Sequence, residues 1–151
     1  MRGGIGVSAW TFATGILAAC AAGPDFAGPP PGQCPQPRFT GRAPEAVYRL
    51  GNPIKADEAN VAAGRALYEK GAAPSCSTCH GIRGDGRGPL AAQFDPPPRN
   101  FACAETVNGI PDGQLFWIIR NGSPGASMPS FGALPDERIW QLVLYLRELA
   151  R

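Results

Sequence analysis

Cys76 and Cys79 stand three positions apart, and His80 follows the second directly, in the run Cys-Ser-Thr-Cys-His. Two thiols at this spacing can each add to one vinyl group of a single haem, and the next residue offers an imidazole to the iron from the same side of the ring. Other chemistry fits part of the run. A Cys-x-x-Cys pair can work as a dithiol redox site, but that leaves His80 without a role and calls for a βαβ context that the sequence lacks. The pair can also supply half of a zinc site, with Cys103 or Cys34 among the remaining ligands.

A second clue is Met128, in Gly-Ala-Ser-Met-Pro-Ser-Phe over residues 125–131. A lone Met is ordinarily core filler. Here His80 is the single His, and Met1 and Met128 are the two Met. Met1 lies in a segment expected to be removed. An iron held by His80 thus has one thioether available, on a Pro-flanked loop 48 positions later. His/Met ligation fills six coordination positions, raises the reduction potential and leaves no open position for substrate. The chemistry expected is electron transfer, not oxygen activation.

From about residue 57 to 151 the chain resembles a monohaem class I cytochrome c. The residues that carry the resemblance are Ala-Gly-Arg-Ala-Leu-Tyr (63–68), the haem motif with Gly81, Gly88-Pro89, Pro-Pro-Arg-Asn-Phe (97–101), Met-Pro-Ser-Phe (128–131) and Leu-Val-Leu-Tyr-Leu-Arg (142–147). The resemblance implies an all-α fold, with three to five helices wrapped around one covalent haem c and long Gly/Pro-rich loops. It implies that the carbonyl of Pro89 accepts a hydrogen bond from His80, and that Arg99 lies near a haem propionate. The default for a loop Arg is a solvated side chain. Trp117 would sit on a helix packed against haem, as a propionate donor or as plain core. Gly64 would mark a close crossing of the first and last helices. One departure is that Tyr68 lies eight residues before Cys76, where relatives place the aromatic about four before. Gly-Ala-Ala-Pro (71–74) reads as an insertion there.

The elements that must position these residues are legible in part. Residues 57–69 read as a helix with Asp57 as N-cap and Gly71 as stop. Residues 81–98 form a Gly/Pro-rich loop; its Gly84 to Gly88 stretch suggests phosphate binding only weakly, since no strand precedes it. Residues 111–121 make a short helix capped by Asp112, with Leu115, Ile118 and Ile119 on one face and Gly122 at its end. Residues 135–150 make the last helix, with Pro at its first turn and Ile139, Leu142, Val143, Leu146 and Leu149 at helical spacing.

Ahead of this unit, residues 1–19 resemble an export signal, and Leu-Ala-Ala-Cys ending at Cys20 resembles a bacterial lipobox. Cys20 is then the lipidated residue, and the mature protein is expected on the periplasmic side of a membrane, anchored by acyl chains. The alternative is an uncleaved membrane helix. Ala21 in place of Asp leans to the outer membrane. Residues 20–56, rich in Pro, read as a semi-rigid tether, of which about 20 residues could reach roughly 60 Å, or as a strap packed on a partner subunit; a Cys34–Cys103 bridge would pin it against the haem domain. Cys34 and Cys103 remain once lipid and haem have taken the other three Cys, and two spare thiols in an oxidising compartment are expected to pair.

Gly and Pro total 37 of 151 residues, so the folded unit is small and its core thin without the volume of a haem. Net charge is +2, with no basic run, which excludes nucleic acid as an expected partner. The expectation is an electron carrier, not an enzyme, whose partners are redox proteins and which takes no small-molecule substrate. A fixed haem subunit of a larger respiratory or dehydrogenase complex is the alternative, and a haem enzyme or gas sensor comes third.

Overall fold

A computed structural model describes residues 1, 3, 30–37 and 39–151. Cys20 and the segment around it lie outside the described residues. Among the described residues there are six α-helices and no strand: α1 (Glu45–Tyr48), α2 (Glu58–Ala66), α3 (Cys76–His80), α4 (Ala104–Val107), α5 (Asp112–Asn121) and α6 (Asp136–Leu149). The all-α architecture expected from the sequence is what the described residues form. No helix among the described residues is long and apolar enough to cross a membrane.

The pairing of α2 with α6 is the frame. Asp57 caps α2 by accepting from the Asn60 N–H at 3.0 Å. Gly64 faces α6 so closely that a Cβ there would collide with the Gln141 carbonyl. The absent side chain lets two backbones touch, and Tyr145 packs beside it. Ile139 and Val143 of α6 are fully buried, and Tyr68 almost so. The ring of Tyr68 meets Tyr145 edge-on, centroids 5.3 Å apart.

Beyond α2 the chain continues as a π-helical turn, Leu67–Gly71, and leaves it extended at Ala72. This widened turn still points Tyr68 inward, and residues 72–74 follow it outside any helix. Its hydroxyl donates to the Gly81 carbonyl at 2.8 Å and so reaches the end of α3.

α5 packs on α6, with Phe116 stacked on Trp140 at 4.3 Å. Asp112, expected as a cap, has another role. The residue preceding the helix is Pro111, with no side-chain cap, and Asp112 receives the guanidinium of Arg147 at 2.9 and 2.7 Å. Arg147 also donates to the carbonyls of Val107 and Ile110. One side chain of α6 therefore ties down the end of α4, the turn after it and the start of α5.

The segment expected as a tether over residues 20–56 is pinned from residue 30 on, as the expected Cys34–Cys103 bridge implies. From residue 30 it is a strap packed along the haem unit. A disulfide joins Cys34 to Cys103, Cα atoms 5.5 Å apart. Gln36 and Ala43 are buried. Gln114 of α5 donates to the Gly41 carbonyl and accepts from the Ala43 N–H, each at 2.7 Å. Helix α1 lies against α5 where Gly113 admits the Val47 carbonyl, and the Gly113 N–H donates to Leu50 at 3.0 Å. Ahead of α1 the Pro-rich part of the strap forms no helix or strand among its described residues, so the rest of the domain supplies its partners.

Candidate haem site

Helix α3 is one turn long and holds Cys76, Cys79 and His80. The following loop turns back along it. Gly84, Gly86, Gly88 and Leu90 donate backbone N–H groups to the carbonyls of Gly81, His80, Cys79 and Thr78, at 2.8 to 3.1 Å. Gly81, Gly84 and Gly86 have φ between +71° and +81°, backbone that an L side chain adopts at a cost. Gly88 lies against the Cys79 carbonyl, where a Cβ would clash. The Gly-rich stretch is therefore the wrapping of the Cys-x-x-Cys-His turn, not a phosphate cradle.

Both thiols are half-buried and unbridged. Burial pushes Cys76 up to about 11 and raises Cys79 as well. A dithiol redox site needs a thiol with lowered pKa, so this environment argues against that reading. The zinc reading loses its extra ligands, because Cys34 and Cys103 are bonded to each other.

Cys76, Cys79, His80 and Met128 all line one cavity of about 930 Å³, counted with its open mouth. Phe94, Pro98 and Phe101 contribute from one loop, Leu115, Ile118 and Ile119 from α5, and Leu146 from α6. The sole Asp, Glu, Lys or Arg side chain in the lining is Arg99. An apolar slot with two thiols, an imidazole and a thioether on its walls, and one guanidinium, fits a haem: a flat apolar macrocycle with anionic propionates.

His80 is buried and stacks on Phe101, centroids 4.5 Å apart. Its Nδ1 lies 2.9 Å from the carbonyl oxygen of Arg99. The role expected of Pro89 thus falls to a different carbonyl. Pro89 is exposed, on the outer side of the loop, while the chain at 98–100 passes directly behind the ring. Donation from Nδ1 fixes the tautomer whose lone pair is on Nε2.

Met128 is half-buried against the core. Its loop is latched to the end of α5. Ser123 N–H donates to the Met128 carbonyl at 3.2 Å, Phe131 N–H to Ile119 at 3.0 Å, and Ser130 Oγ to the Arg120 carbonyl at 2.6 Å. Gly122, with φ +77°, passes under the Met128 carbonyl where a Cβ would not fit. The end of α5 and the Met loop are thus one construction.

Arg99 lines the cavity, and its Nη1 donates to the Gln36 carbonyl at 3.0 Å. Trp117 is not in the lining; the edge of its ring lies over Gly41 of the strap. Sequence reasoning missed Gln36, Asn100 and Gln114, buried amides that fasten strap to domain. Polar residues among prolines and in a helix look like surface, and nothing local in the sequence marks them as buried.

The family model for cytochrome c oxidase, cbb3-type, subunit III matches residues 59–146. The chain is similar to one in a solved structure, the reducing HAO-like protein complex of Kuenenia stuttgartiensis, with 29% identity and a TM-score of 0.57. The match covers 66% of this chain and 47% of that one, so this chain spans about half the length of that relative. No curated protein matches it.

Proposed function

The chain belongs to the cytochrome c family described by the cbb3-type oxidase subunit III model, with one covalent haem c as its cofactor, and we propose that it is a membrane-anchored periplasmic electron carrier with His80 and Met128 as iron ligands. The haem supplies an iron that takes up and gives back one electron. The chain's residues hold and tune it. Cys76 and Cys79 would hold the ring as thioethers, His80 and Met128 would be the iron ligands, and Arg99 would offer its charge to a propionate. The single observation that supports this most is that Cys76, Cys79, His80 and Met128 share one apolar cavity. No residue in its lining offers an obvious acid or base for bond chemistry beyond the imidazole assigned to the iron.

Met128→Ala tests the ligand set. Thioether ligation favours ferrous iron, so its loss lowers the reduction potential and opens the sixth position to carbon monoxide. The mature chain has no second His or Met to step in. An unchanged potential with no carbon monoxide binding to the reduced variant overturns the assignment.

The anchor proposed is lipid on Cys20. Residues 21–29 alone then separate it from the strap, a reach of at most about 30 Å. That is about a quarter of the reach of a tether running to residue 56, and it puts the haem close to the bilayer, where membrane proteins are the partners within reach. A fixed place in a larger complex is the second reading, favoured by the likeness to a chain of a redox complex. Gently solubilised native membranes test both points. A lipidated Cys20 at the mature N-terminus is expected by mass spectrometry, and an intact peptide from Arg2 through Cys20 contradicts it. Elution at the size of the monomer supports a shuttle, and co-elution with a complex supports the subunit.

A further inference from the structure

We propose that Gln36 is a positioning residue of the redox centre, setting its reduction potential by fixing the backbone carbonyl that holds His80. The inference rests on the reading of His80 as an iron ligand.

Gln36 is 2% exposed. Its side-chain amide donates from Nε2 to the Pro98 carbonyl at 3.2 Å and accepts at Oε1 from the Asn100 N–H at 3.1 Å. These two groups flank Arg99, whose carbonyl faces His80 Nδ1 at 2.9 Å. One amide therefore brackets the residue that holds the imidazole. The main chain of Gln36 closes the bracket: its carbonyl accepts from Arg99 Nη1, and its N–H donates to Thr106 Oγ1, each at 3.0 Å.

The local sequence explains why a side chain is needed here. Pro96, Pro97 and Pro98 carry no N–H, so this stretch cannot be pinned by an ordinary backbone ladder. The side chain of Gln36 stands in for a neighbouring strand, and the Cys34–Cys103 disulfide two residues away keeps it in place. A well-aligned Nδ1–H···O=C bond makes the imidazole a more basic ligand, which favours ferric iron. A carbonyl free to tilt away weakens that bond. The effect is then a higher potential.

The molecule contains its own control. Gln114 is similarly buried and brackets strap residues 41–43 by the same two-bond pattern, but those residues do not line the cavity, whereas Arg99, bracketed by Gln36, does. Gln36→Leu and Gln114→Leu each remove two hydrogen bonds, change no charge and keep similar volume. In the haem-loaded protein both are expected to lower the denaturation midpoint. Q36L alone is expected to raise the reduction potential, and to make the His80 Nδ1–H proton exchange with solvent about tenfold faster, as loss of the equivalent of one hydrogen bond does. A Q36L potential at the wild-type value, or displaced no more than that of Q114L, overturns the proposal. Thr106→Val, which removes the partner of the Gln36 N–H, stands in if Q36L does not accumulate: a raised potential supports the inference and an unmoved one overturns it. The parent reading fails separately. If His80 is not a ligand, its ring protons in the oxidised wild-type protein lack paramagnetic displacement.

Discussion

Gly64 shows how much one missing methyl group decides. Replacing a helical Gly by Ala gains about 1 kcal/mol of helix propensity. Here the added Cβ meets the backbone of α6 at Gln141, which cannot swing aside as a flexible side chain would. Overpacking of that kind costs about 3 kcal/mol at the upper end of its usual range, so the collision wins. Gly64→Ala is expected to destabilise the haem-loaded protein by about 2 kcal/mol, read as a lower denaturant midpoint at unchanged slope. A midpoint at or above wild type shows that α2 and α6 are farther apart than described. At this scale the sequence was informative where residue type is scarce or geometry extreme: one His, two Met, a Gly facing a helix. It was uninformative where a common polar residue is buried. Gln36 carries no local mark of its two partners more than sixty positions away. Asp112 looked like a cap because it opens a helix; its partner Arg147 lies 35 positions on and only the fold brings them together.

Among the elements, α2, α5 and α6 follow from apolar spacing and from Pro and Gly at their ends, and their observed bounds lie close to those read from sequence. The strap follows from sequence only through its cysteine: the expected Cys34–Cys103 bridge implies a pinned segment, and the buried amides carry no such mark. Its prolines report an extended chain, which it is, but extension says nothing about whether the chain floats or is fastened. The fastening is the disulfide and three buried amides, a matter of tertiary contact. The Met loop differs in the same way. Its Gly and Pro carry no mark of fastening, yet two hydrogen bonds, Phe131 to Ile119 and Ser130 to Arg120, latch it to α5. For the strap the consequence is measurable. The bridge closes a loop of 69 residues in sequence separation, and chain entropy alone assigns such a closure about 4 kcal/mol. Cys34→Ala with Cys103→Ala is expected to lower stability by that order and to expose the amides of residues 36–43 to faster hydrogen exchange. Unchanged stability and exchange show that the buried amides hold the strap without it.

At the scale of the whole molecule, a thin helical core is completed by what sits in its cavity. α3 and its wrapping loop supply one wall, the end of α5 and the Met loop another, and the strap backs the stretch behind His80. The proposed carrier role rests on His80 and Met128 as the ligand pair across that cavity, and one signal tests it most directly. With residues 1–19 removed, Met128 is the single Met. Its methyl resonance in the reduced, diamagnetic protein, labelled with carbon-13 methionine, is predicted far upfield of an ordinary methionine methyl, displaced by the ring current of the porphyrin face it lies against. A Met128 methyl at its ordinary position in correctly matured, haem-loaded protein contradicts the His80/Met128 centre and, with it, the electron-carrier account.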